Sequence, residues 1–324
     1  LTEAEMAAAL TRDQHGTRAA FCSQKHLGHG EAPAYSCKMS TVLITGVTSG
    51  LGLATARAAA VRGARVLCAG RDVEKVNALA EEIDGEAVIL DLADLSAVRG
   101  TAVWMPDVNA VACNAGIQII EGMARTKDGL EETFAVNHLA DLALVDVLLE
   151  RKPRPRRVVF ISSATHDPEQ WTGTPAPIED SVFSLAKPDP DAESARTAGM
   201  RRYATTKLLA VATSAALARE HPDVHVTAFD PGLLPGTRLA RQHPAVVRAL
   251  WGSVFKALRF LPFASSPEVS GAALAALLCD DPVPARSGAC LDYRLREVAP
   301  SQRARNVSYQ EALLHDSRLL LQAI

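Results

Sequence analysis

The chain carries little net charge, no long apolar run and few cysteines, and each shortage removes a class of function. Its 34 Lys and Arg against 37 Asp and Glu leave a net charge of −3 over 324 residues. That balance offers no basic stripe for nucleic acid and no attraction to an anionic membrane surface. No apolar stretch reaches the roughly 20 residues that span a bilayer, so no membrane insertion is expected. The six cysteines (Cys22, Cys37, Cys68, Cys113, Cys279 and Cys290) are scattered, without a C-x-x-C pair. Cys68 and Cys113 fall in apparent strands. The thiols are therefore read as reduced and mostly buried, in a cytoplasmic protein. Apolar residues still make up 48% of the chain, ample for a large core.

Residues 1–38 differ from the rest. They lack apolar periodicity, begin at Leu1, and end just before Met39-Ser40 and the first strand. We read them as a leader or a non-native extension, with 39–324 as a single domain. Ala7-Ala8-Ala9-Leu10 is too short to be the apolar core of a secretory signal. Cys22, His26, His29 and Cys37 are loosely spaced and no second ligand cluster supports them, so no metal site is expected.

The stretch that organises the chain is Thr45-Gly46-Val47-Thr48-Ser49-Gly50-Leu51-Gly52. An apolar run, Thr41 to Ile44, precedes it, and an Ala-rich segment follows. That order reads strand, glycine turn, helix. A pyrophosphate needs backbone N–H groups at close range and the positive end of a helix pointing at it. A side chain at a glycine position would block that approach. Gly46, Thr48, Ser49, Gly50, Leu51 and Gly52 are the resulting candidates for cofactor binding.

Further strands and helices alternate along the chain. The pattern predicts a doubly wound α/β (Rossmann) fold, with a parallel sheet of about seven strands flanked by helices. Ala64 to Ala69 reads as the second strand, followed by Gly70-Arg71-Asp72. An acid at that strand end would suit a ribose hydroxyl, whereas an arginine suits a 2′-phosphate. The strand ends without an acid and Arg71 follows at once, so NADP(H) is favoured over NAD(H), although Asp72 could still reach a ribose. The third strand, Glu86–Leu90, ends at Asp91-Leu92. Asp91 could bond an adenine amino group or cap the helix that starts near Leu95.

The fourth strand closes at Asn114-Ala115-Gly116, where small residues let the backbone run past a ligand. A helical pattern over about 129–150 carries Asn137 amid apolar residues, where a polar side chain must find partners. The fifth strand ends at Ser162-Ser163. A Pro-rich insert, about 165–199, reads as a partly ordered flap beside the site. A helix over Met200–His221 contains Tyr203-Ala204-Thr205-Thr206-Lys207, and the sixth strand runs into Asp230-Pro231-Gly232. Residues 233–263 are apolar and interrupted, and are read as a substrate-loop segment.

Tyr203 and Lys207 are four apart and share a helix face. A free phenol has a pKa of about 10, and a nearby cation is expected to lower it. Tyr203 could then pass a proton to a developing alkoxide, or take it back.

The glycine turn, Asn114-Ala115-Gly116, Asn137, Ser162-Ser163 and Tyr203–Lys207 stand in an order that resembles the short-chain dehydrogenase/reductase family, over about residues 40–295. The resemblance implies four catalytic residues, Asn137, Ser163, Tyr203 and Lys207. Ser163, rather than Ser162, would orient a substrate carbonyl, and Asn137 would hold a water that relays protons to Lys207. Asp91, Leu92, Asn114, Ala115 and Gly116 would line the cofactor. Lys207 would bond the nicotinamide ribose, and Pro231, Gly232 and Thr237 would border the nicotinamide. Val136-Asn137-His138-Leu139, Ser162 to His166 and the wide gap between Ser163 and Tyr203 resemble the retinol-dehydrogenase and protochlorophyllide-reductase-like branch. Ala140-Asp141 and Thr48 depart from that branch and argue against retinol or a chlorophyll precursor as substrate. The resemblance also implies homodimers or homotetramers formed through the long helices. The expected activity is NADP(H)-dependent reduction of a ketone or aldehyde, bulky and hydrophobic, or the reverse alcohol oxidation. The rival readings are reduction of a C=C bond and a non-catalytic NADPH-binding regulator.

Overall fold

A computed structural model describes residues 40–189, 194–234 and 264–324. The expectations for 1–38, for Thr237 and for 235–263 lie outside the described residues. Seven strands form one parallel sheet in the order β3-β2-β1-β4-β5-β6-β7. They are β1 (Thr41–Thr45), β2 (Arg65–Gly70), β3 (Glu86–Ile89), β4 (Ala110–Cys113), β5 (Arg157–Ile161), β6 (His225–Phe229) and β7 (Cys290–Leu291). This is the predicted doubly wound arrangement. The strand order reverses between β1 and β4, and ligands bind such sheets in the crevice at the carboxyl ends of those strands.

Both faces of the sheet are covered, which is why the strands read as apolar runs rather than alternating ones. Successive side chains of β1 point to opposite faces. Val42 and Ile44 pack with Ala56 and Ala59 of helix α1 (Gly50–Val61) and Leu274 and Leu278 of helix α7 (Pro267–Cys279). Leu43 packs on the other face, with Leu95 and Val98 of α3 (Leu95–Trp104) and Leu142 of α4 (Ala140–Glu150). Helix α2 (Val73–Glu82) covers the β2–β3 edge.

Three elements differ from their sequence reading. The helix read from residue 129 begins with one turn at Glu132–Phe134, passes through a π-helical turn at Ala135–Leu139, and only then becomes α4. A π turn inserts one extra residue per turn and is common at functional sites; it falls on Asn137. The helix read over 200–221 begins five residues earlier, as α6 (Ala195–Glu220), capped by Ser194, whose side chain accepts from Thr197 N–H. Gly199 hid that first turn. It is needed because a Cβ there would stand 2.3 Å from the Ile119 carbonyl oxygen.

The insert also carries elements of its own. It contributes a 3₁₀ turn at Ala164–His166 and a short helix, α5 (Val182–Ala186). Ile178 N–H donates to Thr205 Oγ1 at 2.7 Å, and Arg201 Nε donates to the Ala176 carbonyl at 3.1 Å. On a helix of 3.6 residues per turn, 201 and 205 oppose 203 and 207. Over 176–186 the insert therefore packs on the back of α6.

The chain closes with α8 (Gln302–Arg305) and α9 (Val307–Gln322). Leu313, Leu314, Leu320 and Leu321 of α9 are buried in the core that α4 and α6 share. Ser317 meets His138 at 2.8 Å, and Arg318 bonds both Asp146 of α4 and Glu220 of α6. Part of the outer face of the long helices is thus occupied within the chain.

Candidate functional site

The glycine turn joins β1 to α1. Gly46 has φ +73°, and its N–H donates to the Ala69 carbonyl at 2.8 Å, drawing the end of β2 against the turn. A Cβ at Gly46 would stand 2.8 Å from the Ala115 Cα, and one at Gly52 would stand 2.4 Å from the Gly46 carbonyl oxygen. The backbone of the turn is therefore bare toward the crevice. Helix α1 follows with an open N-terminus: Ser49 makes no side-chain cap and the first turn holds no acid. Helices α2, α3, α6, α7, α8 and α9 all begin with a side-chain cap. Uncapped N–H groups at the positive end of a helix are what a pyrophosphate requires. These residues fit a dinucleotide.

Leu51 is buried behind the turn, while Thr48 and Ser49 are half-buried. A Cβ at Gly70 would lie 3.5 Å from Thr48 Cγ2, so the end of β2 abuts the turn. Arg71, the next residue, is exposed. Asp72 caps α2, accepting from Lys75 N–H at 3.2 Å. Its carboxylate is thus already engaged by its own helix. Asp91 does not cap α3. It is exposed and accepts from Ala93 N–H at 3.0 Å, and the cap is Asp94, which accepts from Ala97 N–H at 3.0 Å. The alternative of Asp91 as a helix cap is thereby corrected: the cap needs the residue directly before the helix. Leu92 beside it is buried in the core.

Asn114-Ala115-Gly116 forms the opposite wall. The Asn114 and Ala115 N–H groups both donate to Thr45 Oγ1, at 3.0 and 2.9 Å, and Asn114 Nδ2 donates to the Thr45 carbonyl at 2.7 Å. The ends of β1 and β4 are thus locked together. Asn137 is 4% exposed. Its Oδ1 accepts from Ile117 N–H and its Nδ2 donates to the Ile117 carbonyl, both at 2.8 Å. Nδ2 also reaches Thr206 Oγ1 at 3.2 Å. The Asn137 side chain is therefore fully used in joining Ile117 to α6.

Tyr203 and Lys207 share one face of α6, with Lys207 Nζ 5.3 Å from the centre of the Tyr203 ring. Nζ donates to the Ile161 carbonyl at 2.9 Å, and Ser162 Oγ donates to the Lys207 carbonyl at 3.1 Å. Two bonds therefore hold α6 to the end of β5. Ser162 is buried and committed to that link; Ser163 is half-buried, and its Oγ accepts a long bond from Thr165 N–H, at 3.4 Å. Pro231 and Gly232 follow β6. Gly232 N–H donates to Asp230 Oδ1 at 2.8 Å, and Ser270 Oγ donates to the Pro231 carbonyl at 2.7 Å.

The electrostatics correct one expectation. Lys207 does not leave the Tyr203 phenol below its ordinary value; desolvation, and then the Asp230 carboxylate, hold it above. Burial lowers Lys207 itself to about 8, with Asp141 and Asp230 opposing the fall. Burial of the phenol is the larger effect, and the Asp230 carboxylate adds to it.

Asp230, Asp141 and His166 escaped the sequence reading. Asp230 sits in the Asp-Pro-Gly run and His166 closes Ser162 to His166, yet nothing in spacing alone aims them at the site. Asp141 lies one turn beyond Asn137 and is 4% exposed, with no hydrogen-bond partner for Oδ1. Its pKa is raised by burial, with Lys207 opposing. A carboxyl whose pKa is higher folded than unfolded contributes stability below the unfolded value, and loses it as pH rises through the folded one. Each unit of that difference is worth about 1.4 kcal/mol. We expect Asp141→Asn to flatten the fall in stability between acid and neutral pH. Denaturant unfolding across that range checks it, and parallel curves for the two proteins would refute it.

Among the described residues no His, Cys, Asp or Glu cluster is placed to hold a metal, and no helix is long and apolar enough to cross a membrane. A cavity of about 380 Å³ lies behind α6, lined by Glu131, Phe134, Arg202 and Thr205, on the side away from Tyr203.

The fold and the site together define a Rossmann-type dinucleotide-binding oxidoreductase. Residues 40–173 match the short chain dehydrogenase family. A candidate daunorubicin C-13 ketoreductase, DnrU, of Streptomyces sp. (strain C5) is 32% identical over 226 residues, 66% of this chain and 70% of that protein. Human retinol dehydrogenase 13 is 35% identical over 139 residues, 39% of this chain and 42% of that one. An uncharacterised protein from Mycobacterium paratuberculosis superimposes with a TM-score of 0.64 at 27% identity, covering 87% of this chain and 93% of that one. A candidate NAD(P)-dependent gluconate 5-dehydrogenase from Beutenbergia cavernae, solved with NADP, gives 0.58 at 25% identity, covering 78% and 94%. The chain belongs to the short-chain dehydrogenase family of oxidoreductases. Its relatives include both ketoreductases and retinol dehydrogenases.

Proposed function

We propose that the protein is an NADP(H)-dependent carbonyl reductase, or the corresponding alcohol dehydrogenase, acting on a bulky hydrophobic ketone or aldehyde. The observation that carries this reading is the double link between α6 and β5. Lys207 Nζ on the Ile161 carbonyl, and Ser162 on the Lys207 carbonyl, tie the helix that carries Tyr203 to the strand end that carries Ser163. The name of the Streptomyces relative favours a ketone over a C=C bond.

A bound nicotinamide supplies or accepts the hydride. The protein's own residues do the rest. The uncapped α1 and the bare turn Gly46 to Gly52 hold the pyrophosphate, and Asn114, Ala115 and Gly116 form the wall beside it. Asp91 and the backbone of Leu92 flank the adenine, and Pro231 and Gly232 border the nicotinamide. Ser163 Oγ donates to the substrate carbonyl oxygen and orients it. Tyr203 gives its proton to that oxygen as negative charge develops there, and takes it back in the oxidising direction. Lys207 stabilises the phenolate and holds the ribose. The Asn137 side chain is spent on Ile117, so a relay water belongs on its backbone carbonyl within the π turn.

Arg71, exposed at the end of β2, meets the 2′-phosphate. Hydrogen bonds to a charged group are worth about 1.5–3 kcal/mol. On that scale Arg71→Ala raises the KM for NADPH about 10- to 100-fold and leaves the KM for NADH within about 2-fold. Steady-state rates with acetophenone, benzaldehyde and phenanthrenequinone, using both cofactors, test this. Equal use of NADPH and NADH by the parent protein refutes the NADP(H) assignment. An enone returned as a saturated ketone moves the activity to C=C reduction, and NADPH binding without any turnover moves it to the non-catalytic regulator.

A further inference from the structure

His166 is 2% exposed, a histidine sealed under the site and used in none of the steps above. Its ring meets two groups. Ser301 N–H lies 3.3 Å from Nε2, and the Ser163 carbonyl oxygen lies 2.7 Å from Nδ1. Ser301 N–H can only donate, so Nε2 is the acceptor. The ring proton therefore sits on Nδ1 and is donated to the Ser163 carbonyl. The next atoms along the chain are held as well. The Ala164 N–H faces the Asp230 carboxylate, which accepts from Gly232 N–H at 2.8 Å.

The peptide unit between Ser163 and Ala164 is thus gripped at both ends, its oxygen by His166 and its N–H by Asp230. A peptide is planar and stiff, so fixing both ends fixes the direction in which Ser163 carries its hydroxyl. The Ser163 carbonyl also accepts from the His166 backbone N–H at 3.0 Å, which closes the turn but leaves the hydroxyl unaddressed. Among the described residues, the one hydrogen bond to Ser163 Oγ is the long one from Thr165 N–H, at 3.4 Å. Asp230 also holds the Pro231-Gly232 turn, so the same carboxylate ties the serine to the loop after β6. Through Ser301, the cap of α8, His166 extends this framework to the C-terminal segment.

We propose that His166, working with Asp230, is a positioning residue that aims the Ser163 hydroxyl at the substrate carbonyl. The proposal rests on the role given to Ser163 above, and the test separates the two. Asparagine at 166 can place an N–H where Nδ1 stands and keep the bond to Ser163. Glutamine can place an oxygen where Nε2 stands and keep the bond from Ser301. A catalytic group misplaced by about 1 Å can cost on the order of 100-fold in rate. His166→Ala and His166→Gln are therefore expected to lose about 10- to 100-fold in kcat with phenanthrenequinone and NADPH. The dissociation constant for NADPH, read by its fluorescence, stays unchanged. His166→Asn recovers most of the kcat although it lacks the Ser301 bond and melts lower than the parent.

Equal losses in His166→Asn and His166→Gln, following their melting temperatures, would make His166 a purely structural residue and overturn the proposal. Unimpaired kcat in Ser163→Ala would overturn the role of Ser163 instead. Nitrogen NMR of histidine-labelled protein gives a readout without turnover. The imidazole proton is expected on Nδ1, and finding it on Nε2 would remove the bond on which the proposal stands.

Discussion

Tyr203→Phe lowers kcat by about 100- to 10,000-fold, the usual contribution of a positioned general acid or base, and leaves NADPH affinity within about 2-fold of the parent. The substitution removes one oxygen and keeps the ring. Lys207 retains its bond to the Ile161 carbonyl, and Ser162 retains its bond to the Lys207 carbonyl. The framework of α6 on β5 therefore survives, and only the proton donor is lost. Among the described residues, the Lys207 ammonium is tied to the Ile161 carbonyl. Ser163 is the neighbouring hydroxyl and is a far weaker acid than a phenol. The protein alone holds the phenol above its ordinary pKa, through desolvation and Asp230, so in the reducing direction Tyr203 carries its proton at neutral pH. Turnover with phenanthrenequinone and a fluorescence titration with NADPH give the two numbers. A Phe variant with the full kcat would end the proposed mechanism, and one that had lost NADPH binding would show that the hydroxyl belongs to the cofactor site instead.

Gly52→Ala is the second large effect, and it acts on binding rather than on chemistry. A Cβ at 52 would stand 2.4 Å from the Gly46 carbonyl oxygen and 2.5 Å from Asn114 Nδ2. Neither group is free to retreat. Gly46 is drawn to the Ala69 carbonyl at 2.8 Å, and Asn114 Nδ2 to the Thr45 carbonyl at 2.7 Å. Overpacking of this kind costs about 1–3 kcal/mol, and the strain falls on the first turn of α1, where the pyrophosphate must meet N–H groups. The melting temperature is expected to drop, with NADPH affinity reduced by about 100-fold, the effect of displacing two charge-assisted bonds. Gly100→Ala is the control. Position 100 lies inside α3 with nothing within 4 Å of an added Cβ, so alanine there should raise helix stability by about 0.5–1 kcal/mol and leave binding alone. If Gly52→Ala binds NADPH like the parent, the turn is not the pyrophosphate site.

The two predictions differ in how far they could be drawn without a fold. Tyr203 and Lys207 meet because four residues make about one helical turn, and that is a property of the chain itself. The glycine turn was legible for the same reason, since strand, turn and helix are consecutive. The cause of the Gly52 requirement was not. It is the Gly46 carbonyl folding back over the helix, and Asn114 arriving from a strand more than 60 residues away. Ser162 and Ser163 present the same case. Adjacent serines look alike in a sequence, and only the bond from Ser162 to the Lys207 carbonyl separates the tether from the free hydroxyl. Asp91 stood open as a cap, and the cap is Asp94, because a cap is defined by the first residue of the helix, a boundary that apolar spacing leaves uncertain by a few residues.

The side of the insert and the charges were the least legible. Pro-rich composition marks a loop, but which side of α6 it covers is decided by Thr205 and Arg201 on the back of that helix. The pKa of Tyr203 depends on solvent exclusion and on Asp230, and neither can be counted along a chain. What the order of residues alone settled was the alternation of strands and helices, the glycine turn, the Tyr–Lys pair and so the family, because each rests on a period of a few residues. Tertiary packing decided which serine is tied to Lys207, which side of α6 residues 176–186 cover, and what desolvates the phenol. Those outcomes depend on groups distant in sequence sharing one desolvated space, where distance and burial, not spacing, set the energy.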